Sequence, residues 1–126
     1  MKITTFNPLI VTRDAEPVID LFEALGFEKR HNIHANTGKT DFNSVRMADA
    51  SGFHVDIANV PTVERDMTLI RMNVDDFDEA CEFLTAKGFV NSRGDRTVDT
   101  KSNKSCMMIS PSGFAFDLCQ HIREHE

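Results

Sequence analysis

Residues 47–57 read M-A-D-A-S-G-F-H-V-D-I, and residues 108–118 read M-I-S-P-S-G-F-A-F-D-L. Aligning the two stretches places methionine on methionine, Ser-Gly-Phe on Ser-Gly-Phe, and Asp56 on Asp117. Each copy predicts a strand, a tight turn with glycine at its end, and a second strand whose residues alternate in character. A pattern of this length that occurs twice indicates an internal duplication.

A second pair of matched segments lies upstream of the first. Residues 14–27 (D-A-E-P-V-I-D-L-F-E-A-L-G-F) match residues 76–89 (D-F-D-E-A-C-E-F-L-T-A-K-G-F), at almost the same offset in the chain. Because two landmarks repeat at nearly one offset, we interpret the chain as two tandem modules. We expect one domain over residues 1–126, with the first module at about 1–60 and the second at about 67–122.

The order of predicted elements is the same in both modules, β-α-β-β-β, which predicts an α+β fold. We expect Asp14 to cap the first helix and Gly26 to end it, and Asp76 and Glu79 to form a capping box for a second helix that stops at Gly88. The predicted strands are 2–12, 27–35, 41–48 and 53–59, then 67–74, 89–98, 105–110 and 114–121, with a hairpin turn at 36–39 and a polar turn at 99–104.

Composition excludes several classes of partner. The net charge of −6 argues against nucleic acid and anionic membranes, because both require a basic surface. The chain opens with no leader-like segment and contains no apolar run long enough to cross a bilayer, so we expect neither export nor a membrane span. Three cysteines without C-x-x-C spacing indicate reduced thiols and a cytoplasmic protein.

Strand alternation predicts which side chains face the helices and which face away. We expect the helix-facing set to form the core: Val18, Leu21, Phe22 and Leu25 against Phe53, Val55 and Ile57, and Ala80, Phe83 and Leu84 against Phe114, Phe116 and Leu118. The opposite strand faces carry a polar set that we interpret as a binding site. Its members are Asn7, His54, Asp56, Leu69, Arg71, Asn73, Asp117 and Cys119.

Three segments carry a resemblance to a known family: V-D-D-F-D-E-A at 74–80, A-L-G-F at 24–27, and P-S-G-F-A-F-D-L at 111–118. Together with the duplicated module, they resemble the vicinal oxygen chelate superfamily, which includes glyoxalase I, the bleomycin-resistance proteins and the extradiol dioxygenases. The resemblance implies curved mixed sheets around a central cleft, with the helices outside. It also implies that metalloenzymes of the family place one metal ligand on the first and last strand of each module.

The ligand positions that the resemblance implies carry poor metal donors in this chain. They fall on Asn7 (or Phe6, if that strand is one residue longer), Asp56, Leu69 and Asp117. This set offers no imidazole, and Leu69 has no donor atom. We therefore expect no metal cofactor, with a divalent metal as the alternative.

Histidine and arginine supply the remaining candidates. His54 is a candidate base or substitute ligand, although histidines in sheets are mostly hydrogen-bonded bystanders. His31 and His34 form an H-x-x-H pair that is a poor metal signal on its own. Two neighbouring carboxylates need a cation, a metal or a shared proton, so we predict that Arg71 contacts Asp56 or Asp117 where relatives hold their metal.

Three functions remain open at this point. The favoured one is a metal-free binder, similar to the bleomycin-resistance branch, that sequesters a cationic or polar ligand. The second is a metal-dependent lyase, isomerase or dioxygenase with an atypical ligand set, and the third is an interaction module with no ligand. The family resemblance also implies a homodimer. The ligand itself cannot be identified from the sequence.

Overall fold

A computed structural model describes residues 1–36, 41–92, 94, 98–99 and 103–121. This part of the chain contains nine strands and two helices, in the order β-α-β-β-β followed by β-α-β-β-β-β. The α+β fold of tandem modules is confirmed, with one short extra strand in the second module. The elements are β1 Ile3–Thr12, α1 Glu16–Ala24, β2 Glu28–Asn36, β3 Asp41–Ala48, β4 His54–Asn59, β5 Met67–Val74, α2 Phe77–Ala86, β6 Val90–Asn91, β7 Val98–Asp99, β8 Asn103–Ile109 and β9 Ala115–His121.

The chain divides into two compact units. The N-terminal unit is the continuous segment Asn7–Leu69, and the C-terminal unit combines Met1–Phe6 with the chain from Ile70 onward. Strand β1 therefore contributes its first four residues to the C-terminal unit and its remaining six to the N-terminal unit. Neither helix in the described residues is long and apolar enough to cross a membrane.

Both units contain a mixed sheet of similar topology. In the N-terminal unit the strand order is β2-β3-β4-β1, with β1 parallel to β4 and the other pairs antiparallel. In the C-terminal unit the order is β5-β9-β8-β6, with β5 parallel to β9, and β7 pairs with β8. The parallel pair in each unit joins its first and last strands, and the long connection between them, which includes the helix, makes this possible.

The repeated Ser-Gly-Phe stretch forms the same turn in both units. The Asp49 backbone N–H donates to the Phe53 carbonyl over 3.1 Å, and the Ser110 N–H donates to the Phe114 carbonyl over 2.8 Å. The turns end at Gly52 and Gly113, whose φ values of 92° and 100° lie where only glycine is unstrained. The duplication inferred from the sequence of this stretch is therefore also present in the structure.

The N-termini of the two helices are also stabilised in the same way. The Ala15 N–H donates to the side-chain oxygen of Asn59 over 2.8 Å, and the Phe77 N–H donates to that of Gln120 over 2.8 Å. A side chain from the last strand of each unit thus satisfies one of the free N–H groups that every helix start exposes. Asn59 and Gln120 are separated in the chain by the same offset as the two turns.

The predicted Asp76 half of the capping box is confirmed for α2, and the cap predicted for α1 is wrong. The Asp76 carboxylate accepts from the Glu79 N–H over 3.0 Å, as an N-cap residue should. In α1 the N-cap is Ala15, which has no side-chain bond, and Asp14 lies one residue before it, where its carboxylate accepts from the Glu16 N–H over a long 3.4 Å. At the other ends, Gly26 and Gly88 stop the helices with φ values of 100° and 94°, as predicted.

The core of each unit lies between its helix and its sheet. The strand faces are as predicted for Val55 and Ile57 in the N-terminal unit and for Phe116 and Leu118 in the C-terminal unit. The buried clusters are Ala15, Val45, Met47, Val55 and Ile57 in the first, and Val74, Phe77, Ala80, Cys106, Met108, Phe116 and Leu118 in the second. Partly buried helix residues, among them Val18, Phe22, Cys81 and Leu84, complete these clusters.

Five residues predicted to be in the core are instead exposed. Phe53 and Phe114 belong to the turns, because strands β4 and β9 begin one residue later. Leu25 lies just beyond the end of α1. Leu21 and Phe83 lie on the helices, but outside the faces that pack against the sheets. Their exposed fractions are 54% for Leu21, 62% for Leu25, 67% for Phe53, 48% for Phe83 and 50% for Phe114.

The strand predicted at 89–98 is not continuous. Among its described residues, Val90–Asn91 form β6 and Val98 begins β7, and between them lies a turn in which the Gly94 N–H donates to the Asn91 carbonyl over 3.1 Å. The polar residues after Asn91 favour this turn over continued pairing. Asp99, predicted in a polar turn, pairs in β7, and Asn36, predicted in the hairpin turn at 36–39, ends β2. The rest of that hairpin turn and residues 100–102 lie outside the described residues.

Phe116 tests the assignment of the strand faces. Its side chain is 3% exposed and packs against the rings of Phe89 and Phe114 at centroid distances of 5.9 Å and 5.7 Å. We expect Phe116→Ala to lower the free energy of unfolding by about 3–5 kcal/mol, because it leaves a cavity in the core. Urea denaturation measures this loss. Phe53→Ala, at an exposed phenylalanine, is the control and should cost clearly less; similar losses would contradict the assignment.

Candidate functional site

In the N-terminal unit the only fully buried carboxylate among the described residues belongs to Asp56, which is 0% exposed. Arg46 lies directly opposite on β3 and holds both carboxylate oxygens, Nε to Oδ1 at 3.0 Å and Nη2 to Oδ2 at 3.1 Å. This bidentate geometry is the one that best compensates a buried carboxylate. Asp56 is therefore part of a structural ion pair in this unit.

The other predicted site residues of the N-terminal unit do not gather around that pair. His54 is exposed at the start of β4, and none of the hydrogen bonds in the described residues joins it to Asp56. Asn7 is 6% exposed and its amide donates to the Pro8 carbonyl over 2.9 Å. Leu69 is half-buried in β5. These positions remain candidates without a shared polar network.

In the C-terminal unit the predicted residues do form a network. Arg71 and Asp117 are paired neighbours on β5 and β9, and Arg71 Nε lies 2.7 Å from Asp117 Oδ2. The Cys119 thiol donates to the same oxygen over 3.1 Å. The prediction that Arg71 contacts one of the two aspartates is confirmed, and its partner is Asp117.

Asn73 extends this network and contains its one anomaly. It lies opposite Cys119, and its Nδ2 donates to Thr5 Oγ1 over 2.7 Å. Its Oδ1 is buried but has no hydrogen-bond partner among the described residues. An unsatisfied buried acceptor costs about 1–3 kcal/mol, so this atom requires an explanation.

The two aspartates differ in how completely their oxygens are used. Both oxygens of Asp56 are bound by Arg46, whereas the contacts of Asp117 within the described residues both involve Oδ2. The side chain of Asp117 is also more accessible, at 14% against 1% for Asp56. Asp117 Oδ1 is therefore available to an incoming donor.

Arg46 and Thr5 were missed at the sequence level. A signal for Arg46 existed, because the tight turn pairs Ala48 with His54 and so sets Arg46 opposite Asp56. Thr5 had none, since its contact with Asn73 joins residues far apart in the chain. His31, His34 and His125 cannot be placed, because their side chains lie outside the described residues.

The positions equivalent to family metal ligands do not fit a metal. The carboxylates of Asp56 and Asp117 each accept from a guanidinium, and Leu69 offers no donor. No group of three or more His, Cys, Asp or Glu side chains in the described residues could hold a metal ion. A first-row divalent metal in this family would require imidazole nitrogen, which these positions lack.

The two ion pairs predict different responses to the loss of arginine. We expect Arg46→Leu to lower the free energy of unfolding by about 3–5 kcal/mol, because Asp56 would be left buried and charged. Arg71→Leu should cost less, since Asp117 is partly exposed to water. Chemical denaturation at neutral pH measures both.

The companion variant Asp56→Leu/Arg46→Leu should recover much of the loss, because it removes both charges together. Equal losses for both single variants would contradict the distinction between the two pairs.

Comparisons with known proteins come from sequence and from fold. The family model described as "Glyoxalase/Bleomycin resistance protein/Dioxygenase superfamily" matches residues 3–118. No curated protein sequence matches significantly.

Among solved structures, a methylmalonyl-CoA epimerase is 18% identical with a TM-score of 0.68, covering 93% of this chain and 94% of its own. The methylmalonyl-CoA epimerase from Mycobacterium tuberculosis is 11% identical with a TM-score of 0.72, covering 97% and 91%. A single-residue variant of the Streptomyces coelicolor enzyme, in complex with 2-nitronate-propionyl-CoA, is 13% identical with a TM-score of 0.72, covering 97% and 100%. At such identities these similarities concern the fold.

Proposed function

Because the chain belongs to the Glyoxalase/Bleomycin resistance protein/Dioxygenase superfamily, we propose that it binds a small polar or cationic molecule without a divalent metal. The binding face is the polar side of the C-terminal sheet, formed by Arg71, Asn73, Asp117 and Cys119. Under this proposal the protein sequesters its ligand, as the bleomycin-resistance branch does, and performs no chemistry on it.

The observation that carries the proposal is the unsatisfied Oδ1 of Asn73. A ligand N–H or O–H group would supply the missing hydrogen bond and remove its cost. Because the atom is shielded in this conformation, the Asn73 side chain must turn slightly to receive the ligand. An acceptor kept buried without a partner in the free protein is a feature that ligand binding explains.

A second acceptor indicates what kind of ligand fits. Asp117 Oδ1 lies on the strand next to Asn73 and on the same sheet face, and Asp117 makes its described contacts through its other oxygen. Two acceptors on the same face of neighbouring strands suit a molecule rich in donors, such as an amine or a polyol. The net charge of −6 favours the approach of a cation.

The same contacts support the absence of a metal. The guanidinium of Arg71 holds Asp117 in the role that a metal ion has in metalloenzymes of the superfamily, so the carboxylate is stabilised without one. The alternative is a metal-dependent lyase, isomerase or dioxygenase with an atypical ligand set. The fold shared with methylmalonyl-CoA epimerases is what favours that alternative.

Thermal-shift measurements with small amines and polyols, including ethanolamine, spermidine and sorbitol, test the proposal. At least one compound should raise the Tm of the protein in a concentration-dependent way. Asn73→Leu should abolish this shift while changing the unfolding free energy of the free protein by only about 1 kcal/mol, because it also removes the unsatisfied acceptor.

Thr5→Val is the matched control for Asn73→Leu. It removes the partner of Asn73 Nδ2 but leaves Oδ1 in place, so the ligand-induced shift should survive. If Asn73→Leu retains the shift, or if Thr5→Val loses it equally, the acceptor is not the binding group. If no compound in the panel stabilises the wild-type protein, the assigned ligand class is wrong.

Calorimetric titration with Zn²⁺, Co²⁺, Ni²⁺, Mn²⁺ and Fe²⁺ distinguishes the two functions. We expect no divalent ion to bind in a way that depends on Asp56 or Asp117, because both carboxylates are held by arginine. Each titration is repeated with Asp56→Asn and Asp117→Asn. A stoichiometric metal that either substitution removes would establish the metalloenzyme alternative instead.

The assembly and location stay predictions. We expect a homodimer in the cytoplasm, with neither nucleic acid nor membrane as a partner. Sedimentation measurements of the free protein check whether it is a dimer.

A further inference from the structure

Three apolar side chains lie beside Asp117 on the polar side of the C-terminal sheet. Met107 on β8 is directly opposite Asp117, and Ile109 is directly opposite Ala115 on β9. Because side chains alternate along a strand, Ala115 shares the face of Asp117, and Ile109 shares that of Met107. The four residues form a block two strands wide, in which Asp117 is the one charged member. The other three, Met107, Ile109 and Ala115, are called the apolar shelf.

The apolar shelf is accessible to solvent, whereas the opposite face of the same two strands is buried. Met107, Ile109 and Ala115 are all half-buried. The residues that alternate with them pack toward α2 and are only 1–3% exposed: Cys106, Met108, Phe116 and Leu118. Ligand sites combine apolar surface with a few polar groups that fix orientation. The shelf supplies such a surface next to the carboxylate that the proposed function uses.

The first module carries polar side chains at the matching positions. Arg46 stands where the second module has Met107, and His54 stands where it has Ala115. The sheet therefore forms with polar residues at these two places, and its folding does not require apolar ones. The apolar shelf is a property of the second module, the same module that contains the unsatisfied Asn73 acceptor.

We propose that the ligand is an amphipathic amine, whose ammonium group binds Asp117 and whose hydrocarbon part covers the apolar shelf. This inference rests on the proposed function and narrows its ligand class from donor-rich molecules to amines with an apolar substituent. A primary amine is a cation at neutral pH, because its pKa is close to the value of about 10.4 for a lysine side chain. Such a cation complements a carboxylate whose described contacts are made through Oδ2 alone.

The spacing of the sheet allows one small molecule to make both contacts. Opposite residues of antiparallel strands have Cβ atoms about 5 Å apart, and alternate residues of one strand lie about 7 Å apart. A hydrocarbon chain of a few methylenes that starts at Asp117 therefore reaches Met107 and Ala115. The flexible thioether of Met107 adapts to hydrocarbon groups of different shape.

The charge of Arg71 sets the direction of approach. Arg71 lies on β5, so its guanidinium occupies one side of Asp117, and β8 with the apolar shelf lies on the other. Repulsion between like charges directs an ammonium away from Arg71 and toward the shelf. A neutral hydroxyl or amide elsewhere in the same ligand would supply the donor for Asn73 Oδ1.

The test is a titration with n-alkylamines from ethylamine to hexylamine, in which Kd is taken from the chemical shifts of backbone amides. Full burial of one methylene lowers Kd about fourfold, and a sheet face covers it on one side only, so each methylene should lower Kd about twofold. Hexylamine should therefore bind on the order of tenfold more tightly than ethylamine. Hexanoate, which has the same chain length and the opposite charge, should not bind, because Asp117 repels it.

Three substitutions of Met107 locate the hydrocarbon part. Met107→Gln keeps the length of the side chain but makes it polar, and should reduce the advantage of hexylamine over ethylamine by about threefold. Met107→Leu is the matched control and should restore the advantage that Met107→Gln loses, because it is apolar and similar in volume. Met107→Arg copies Arg46 and should weaken every amine by about tenfold, because its guanidinium competes for Asp117. Circular dichroism checks that each variant is folded.

The outcomes separate this inference from the proposed function. If ethylamine and hexylamine bind equally, or if only polyols bind, the inference is wrong and the proposed function stands. If neither amines nor polyols bind, both are wrong. Binding of hexanoate as tight as that of hexylamine would also overturn the inference, and so would a Met107→Gln variant that keeps the full advantage of hexylamine.

Discussion

The register of one hairpin governs the chemistry of each unit. The turns closed by Gly52 and Gly113 allow no slippage, so they determine which residues of β3 and β8 face those of β4 and β9. A shift of one residue would bring the apolar residues to the polar face and put the aspartates into the core. The same register places the last strand so that Asn59 or Gln120 reaches the start of the helix.

The two modules stabilise their equivalent aspartates, Asp56 and Asp117, with an arginine on different neighbouring strands. Asp56 has Arg46 on the antiparallel neighbour and Leu9 on the parallel one. Asp117 has Met107 on the antiparallel neighbour and Arg71 on the parallel one. The cation and the apolar residue have changed places between the copies.

Much of the fold could be predicted from the sequence, because its determinants are local. The bounds of β3 and β5 and the glycine stops of both helices follow from alternation and turn residues within a few positions. Local patterns failed where tertiary context decides: β6 ends at Asn91, and Phe53 is exposed although it continues the alternation of its strand. The Arg71–Asp117 pair was predictable, because strand alternation places both side chains on the same face of the sheet. The Thr5–Asn73 contact was not, because it joins residues distant in the chain.

The division of β1 between the units has a consequence for synthesis on the ribosome. Asn7–Leu69 is one uninterrupted segment, so the N-terminal unit can complete its sheet as soon as it has emerged. Met1–Phe6 is made earlier, yet its partners in the C-terminal unit begin only at Ile70. The segment Met1–Phe6 must therefore wait until the chain from Ile70 onward has been made, and closing that long loop delays the second unit.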